Sequence, residues 1–160
     1  MEEDLEEVRI KTPDAIRLIE LARISALTQT EFNGIIYGVK RNKKFYVKGI
    51  IPVYERANDC VVDNNRTEIY LKMFKKANPH YSFFTYHSHT DGSSELSEYD
   101  IEVIDGLEIL LSSKTSFSGF LRKKLSKVGY GMIKAYNVIE KNGKKESVEV
   151  PIRIEHTHKL

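Results

Sequence analysis

The chain has 160 residues, of which 41% are hydrophobic and 30% charged, with a formal net charge of +2 and a single cysteine. This length suits one domain able to bury a core, and the near-neutral charge argues against nucleic acid as the main partner. Cys60 alone excludes an internal disulfide framework. No apolar run is long enough to span a bilayer, and five acids among the first ten residues do not read as a signal peptide, so the expectation is no membrane and a reducing cytoplasm.

Residues 1–11 form an acidic leader, frayed at first, with a strand at 8–11. Thr12-Pro13-Asp14 then predicts a helix start: a capping threonine, proline at the first helical position and an acid in the first turn. The helix runs to Gln29. Arg17, Glu20 and Arg23 make its polar strip; Ala15, Ile19, Ala22 and Ala26, with Ile16, Leu18 and Leu27 beside them, make its buried side. Residues 34–39 read as a buried strand, 41–44 as a polar turn and 45–53 as the returning strand. Residues 55–66 lack a period and predict a long loop. A second helix follows over 67–77, with Ile69, Tyr70, Met73, Phe74 and Ala77 on one face, ended by Asn78-Pro79.

Residues 81–86, YSFFTY, have strand character. A Gly/Ser loop over 90–96 leads to Ser97, a candidate cap for a helix carrying Tyr99 to Ile104 and closed by Gly106. Residues 107–111 predict a buried strand and 117–121 another, followed by a basic linker with Arg122, Lys123, Lys124 and Lys127. Residues 128–139 alternate as a strand, Asn142-Gly143 is a hairpin turn, and 147–154 pairs back, with Pro151 marking an edge. No repeat, low-complexity segment or second domain is visible. The fold class is α/β: a single domain with a mixed sheet flanked by helices.

The residues that carry chemistry lie between Tyr86 and Asp100, in the run YHSHTDGSSELSEYD. On a strand, His87 and His89 project from the same face, so both imidazoles can converge on one point while Ser88 faces away. Imidazole nitrogen suits zinc, copper, iron or nickel, and adding the carboxylate of Asp100 favours zinc with one position left open. A capping role competes for Asp100, because Ser97-x-x-Asp100 is also a capping box with a shortened acid. A second pair, His156 and His158, has no carboxylate at useful spacing and reads as a solvated tail. No Lys or Arg occurs from Ala77 to Ser113, where Asp91, Glu95, Glu98, Asp100, Glu102, Asp105 and Glu108 are all acidic. They read either as a solvated face or as a negative field that draws in a metal and a lysine.

His87-Ser88-His89, seven residues, then Ser97-Glu98-Tyr99-Asp100 resembles the signature of the JAMM metalloproteases, the catalytic branch of the MPN domains. That family pairs the motif with an upstream glutamate shortly before a glycine, and Glu31 in Thr30-Glu31-Phe32-Asn33-Gly34 occupies that place. Thr90 stands where proline is usual and Leu96 where some members have proline; neither position supplies a ligand. The resemblance covers nearly the whole chain and implies an MPN-like sheet, one zinc on His87, His89 and Asp100, and Glu31 as general base. It also implies that Ser97 donates to the oxyanion. The short 90–96 loop matches a small stand-alone prokaryotic or archaeal form.

The implied activity is hydrolysis of isopeptide or peptide bonds at the C-terminal tail of a ubiquitin-like protein, by zinc-activated water. The partner would be that protein or its conjugates, held as an added strand beside a sheet edge. Two alternatives stand beside it. One keeps the chemistry but acts on an aminoacyl adduct of a sulfur carrier or on a peptide; the other is a non-catalytic MPN scaffold.

Overall fold

The computed structural model describes residues 4–57, 65–113 and 131–156. In chain order the elements are β1 (Glu7–Lys11), α1 (Thr12–Thr28), β2 (Glu31–Arg41), β3 (Lys44–Ala57), α2 (Asn65–Ala77) and β4 (Ser82–Ser88). These are followed by α3 (Glu98–Val103), β5 (Gly106–Ser113), β6 (Gly131–Lys141), β7 (Lys144–Val150) and β8 (Ile152–Glu155). The strand expected over 117–121 and the basic linker at 122–127 lie outside the described residues. Of the loop expected over 55–66, both ends belong to regular elements, since β3 reaches Ala57 and α2 starts at Asn65.

All eight described strands form one mixed sheet in the order β7-β6-β5-β4-β2-β3-β1-β8. β7 and β8 are its two edges, yet only Pro151 separates them in the chain. The sheet must therefore curl so that the end of one edge strand comes near the start of the other. The Val8 N–H donates to the Pro151 carbonyl at 2.9 Å where the β1–β8 pairing begins. This corrects the single returning strand expected over 147–154. Proline has no N–H to offer a ladder, so the strand breaks there and its second half pairs with β1 in parallel.

Local chemistry explains the hairpins. Asn42 and Lys43 both take positive φ, 51° and 59°, and so do Asn142 and Gly143, 54° and 77°. Two left-handed central residues give the turn whose twist matches that of the flanking strands.

Helix α1 lies in the hollow of the curled sheet and buries Ala15, Leu18, Ala22 and Ser25. Small side chains at three of these four positions let the helix approach closely. Gly131 at the start of β6 reports the same closeness, since a Cβ there would stand 2.4 Å from the Ile19 carbonyl oxygen. The polar strip of Arg17, Glu20 and Arg23 is exposed as expected, but so are Ile16 and Leu27. Nor does Thr12 cap the helix: it is already helical, and its hydroxyl donates instead to the Glu155 carbonyl at 3.1 Å.

The inner core joins α1 to Ile36, Phe45, Tyr86, Leu107, Ile109 and Leu111. On the outer face, Leu71 and Phe74 of α2 pack on Ile35, Val53 and Phe83. Ile69, Tyr70 and Met73, expected to be buried, are exposed. The helix turns its Thr67-Leu71-Phe74 side inward, so that the Phe74 ring stacks on Phe83 at 6.0 Å. Gly106, expected to close α3, begins β5 with φ +84°. No helix among the described residues is long and apolar enough to cross a membrane.

Gly34 is required by close approach. It pairs with Tyr86 across β2 and β4, and a Cβ on it would meet the Tyr86 ring at 2.4 Å. Gly34→Ala should therefore cost about 1–3 kcal/mol, the usual penalty of an overpacked core. A shift of the urea midpoint at unchanged slope would show it.

Candidate metal centre

Strand period two sorts the residues around His87. Phe83, Thr85 and His87 of β4 face outward with Asn33, Ile35 and Glu108, whereas Tyr86 and Ser88 face α1. Ser88, completely buried, shares a 2.7 Å hydrogen bond with Ser25 of α1 and accepts the Phe32 N–H at 2.7 Å. That hydroxyl thus ties the strand carrying the histidines to the residue next to Glu31.

His89 lies one residue beyond β4, but its N–H still bonds the Leu111 carbonyl at 2.9 Å. Its imidazole therefore stays beside that of His87, and the two Nε2 atoms are 3.1 Å apart. From α3, Asp100 brings Oδ2 to 3.1 Å from His89 Nε2 and 3.4 Å from His87 Nε2. Three donor atoms from a strand, the residue after it and a helix meet at one point, and this trio could hold a metal ion. Metal–ligand bonds of about 2.0–2.1 Å at tetrahedral angles separate ligand atoms by roughly 3.3–3.4 Å, so the spacing fits a tetrahedral cation.

Ligation and capping do not compete at Asp100, contrary to expectation. Its N–H donates to Ser97 Oγ at 3.0 Å, and its Oδ2 accepts the Ser97 N–H at 2.9 Å while facing both imidazoles. One lone pair of Oδ2 accepts the Ser97 N–H, and the other is left to face the point between the two imidazoles. At the other end of α3, Lys145 Nζ donates to the carbonyls of Glu102 and Ile104 and to Asp105 Oδ1. The short helix is pinned at both ends, which fixes the direction of Asp100.

The outward nitrogens of both rings are also engaged. His89 Nδ1 lies 3.2 Å from the Ser93 carbonyl, which is turned toward it because Asp91 accepts the Ser93 N–H at 2.9 Å. His87 Nδ1 lies 2.6 Å from Glu108 Oε1, and Thr85 donates its hydroxyl to Glu108 Oε2. Glu108 is 1% exposed in a strand whose other residues are all buried. Read as a surface acid, its part in the site was missed. The signal was one charge in the run Leu107-Glu108-Ile109-Leu110-Leu111, since a buried charge needs a partner.

Burial works against a charge on His87, but its hydrogen bonds to the Asp100 and Glu108 carboxylates, and their negative charge, outweigh it and push its pKa up to about 10. Burial likewise opposes the charge on Asp100, yet hydrogen bonds with both histidines hold its carboxyl far below the usual range. Glu31 lies at the start of β2, outside the trio of donors and half-buried. Burial raises its pKa; His87 and His89 oppose the rise, while Asp100 and Asp91 add to it, so its carboxyl senses the whole cluster. Ser97 is exposed at the head of α3. His156 is exposed and bonded to Thr12, and His158 lies outside the described residues.

The site does not open onto a strand edge as expected. β4 is paired on both flanks, by β2 and β5, as far as His87. Instead, a groove of about 420 Å³ runs between α2 and α3 down to His87 and Asp100, walled by Leu71, Phe83, Tyr99 and Val103.

No protein-family model matches the chain, and no curated protein matches it. Its fold is similar to that in the solution structure of protein DSY2949 from Desulfitobacterium hafniense, a structural-genomics target. The TM-score is 0.61 over 94% of both chains, at 16% identity. At that identity the likeness concerns the fold alone.

A cation held by the trio would compete with a proton for the same nitrogen of His87. Its pKa lies above the ordinary 6.5, so its charge stabilises chelator-treated protein fully below pH 6.5, and that contribution is lost as pH rises toward 10. Saturating zinc should add stability that grows with pH across this window, because less proton must be displaced. Urea denaturation at a series of pH values, with and without zinc, measures both trends. A zinc increment independent of pH would contradict the competition.

Proposed function

We propose that this chain is a zinc-dependent hydrolase of the JAMM type, built on an MPN-like sheet and acting in a reducing cytoplasm. Its substrates would be isopeptide or peptide bonds at the C-terminal tail of ubiquitin-like proteins. The observation that carries the proposal is the convergence of His87 Nε2, His89 Nε2 and Asp100 Oδ2 within 3.4 Å of one another. Two imidazoles and one carboxylate are the donor set of a hydrolytic zinc site with one position left open. Bound there, zinc supplies Lewis-acid activation of water and of the scissile carbonyl.

The chain's own groups supply the rest. Glu31, with its carboxyl raised by burial and placed beside the cluster, takes a proton from water and returns it to the leaving amine. Ser97 Oγ accepts the Asp100 N–H, so its own hydrogen remains free to donate to the reacting carbonyl oxygen. Capping and catalysis thus use opposite sides of one hydroxyl. The groove between α2 and α3 receives an extended tail: Leu71, Phe83 and Val103 offer apolar contact, and Glu68 attracts the lysine side of an isopeptide. In this reading the groove replaces strand addition as the means of holding the tail.

Glu31→Gln should keep zinc but lose about a hundred- to ten-thousand-fold in turnover, the usual worth of one positioned base. Ser97→Ala should lose less in rate and about 1 kcal/mol in stability through its cap. The substrate class is tested with an isopeptide-linked ubiquitin-like conjugate, a linear peptide and an aminoacyl adduct of a sulfur carrier. Release from the conjugate is expected. Release from the adduct alone would move the activity to that substrate, and no release from any arm by zinc-loaded protein would favour a scaffold.

A further inference from the structure

We infer that Glu108, supported by Thr85, is a positioning residue that fixes which nitrogen of His87 meets the metal and strengthens that nitrogen as a ligand. The inference rests on the metal-centre reading above and adds to it a residue outside the ligand set and outside the motif.

Both oxygens of Glu108 are acceptors. Oε2 accepts the Thr85 hydroxyl, and Oε1 stands 2.6 Å from His87 Nδ1, short as charge-assisted bonds are. An acceptor at that place requires the proton on Nδ1. Nε2 is then left with a lone pair directed at Asp100 Oδ2 and His89 Nε2. A carboxylate behind an imidazole holds its tautomer and ring plane and makes the far nitrogen more basic.

The sheet explains how Glu108 comes to do this. Thr85 and Glu108 are direct partners in the parallel ladder of β4 and β5, and His87 follows Thr85 on the same outer face. One register therefore sets the hydroxyl, the carboxylate and the ring in a row. Among the described residues Glu108 has no Lys or Arg partner, and its one ion pair is with His87. A carboxylate 1% exposed within a buried strand needs such partners.

His89 provides the contrast. Its Nδ1 faces an uncharged carbonyl, that of Ser93, on the 90–96 loop. The two histidine ligands are thus unequal: one is backed by a buried charge on a rigid strand, the other by a neutral dipole on a turn. His87 is the stronger ligand.

The test uses zinc itself, titrated against a chromophoric chelator into the full chain and into Glu108→Gln and Thr85→Val. Glutamine keeps the shape and an acceptor oxygen but removes the charge. Zinc affinity should fall about 10–100-fold in Glu108→Gln and by less in Thr85→Val. Nitrogen-15 NMR of zinc-loaded wild-type protein should show the His87 proton on Nδ1, as a downfield, slowly exchanging signal that moves upfield in Glu108→Gln. A residue that merely filled the strand would alter stability and leave affinity and this signal unchanged. Wild-type affinity in Glu108→Gln overturns the inference while leaving the metal centre intact. If Glu108→Gln does not fold, the wild-type spectrum still decides, because a His87 proton on Nε2 overturns it. Wild-type protein that binds no zinc overturns the metal-centre reading and this inference together.

Discussion

The site depends on one imidazole held from two sides. His87 is buried between Glu108 behind it and Asp100 before it, so two acids of separate elements converge on one ring. Burying that much negative charge is unfavourable unless positive charge joins it, whether a proton on His87 or a cation among the three donors. The parallel pairing of β4 with β5, the pinning of α3 at both ends and the tie from Ser88 to Ser25 all bring these charges to fixed positions. The inner core thus supports the site.

The two faces of the sheet have divided the work. The inner face with α1 is mostly apolar, and its packing with the Ser25–Ser88 hydrogen bond gives the curled sheet its stability. The outer face carries α2, α3, the groove and every group with chemistry. Period two is what permits this. His87 and Glu108 can be polar on strands whose alternate residues, Tyr86, Leu107 and Ile109, are fully packed.

Much of this was legible from residue patterns. His-x-His after an aromatic strand announced two rings on one face, and Ser97-x-x-Asp100 announced a capped helix; both patterns are local and need no knowledge of neighbours. Glu108 was not legible in the same way. Seven acids without a Lys or Arg from Ala77 to Ser113 look like one negative surface, but the structure separates them by depth. Asp100 and Glu108 are buried at the cluster, Asp91 holds a turn and Asp105 pairs with Lys145. Depth comes from tertiary pairing, which composition does not encode. The inner side of α2 was misread for a similar reason. Apolar residues occur on more than one side of that helix, and the Phe83 platform selects Leu71 and Phe74 over Ile69 and Met73. The break at Pro151 carries its own signal, but the parallel partner of the segment after it lies far away in the chain, at residues 8–11.

Anomalous scattering from crystals of the zinc-soaked protein, collected above and below the zinc edge, tests the central claim most directly. One peak per chain is expected, bounded by Nε2 of His87, Nε2 of His89 and a carboxylate oxygen of Asp100, with Glu108 on the far side of His87. A peak at other residues, or a zinc contact through Nδ1 of His87, would contradict it.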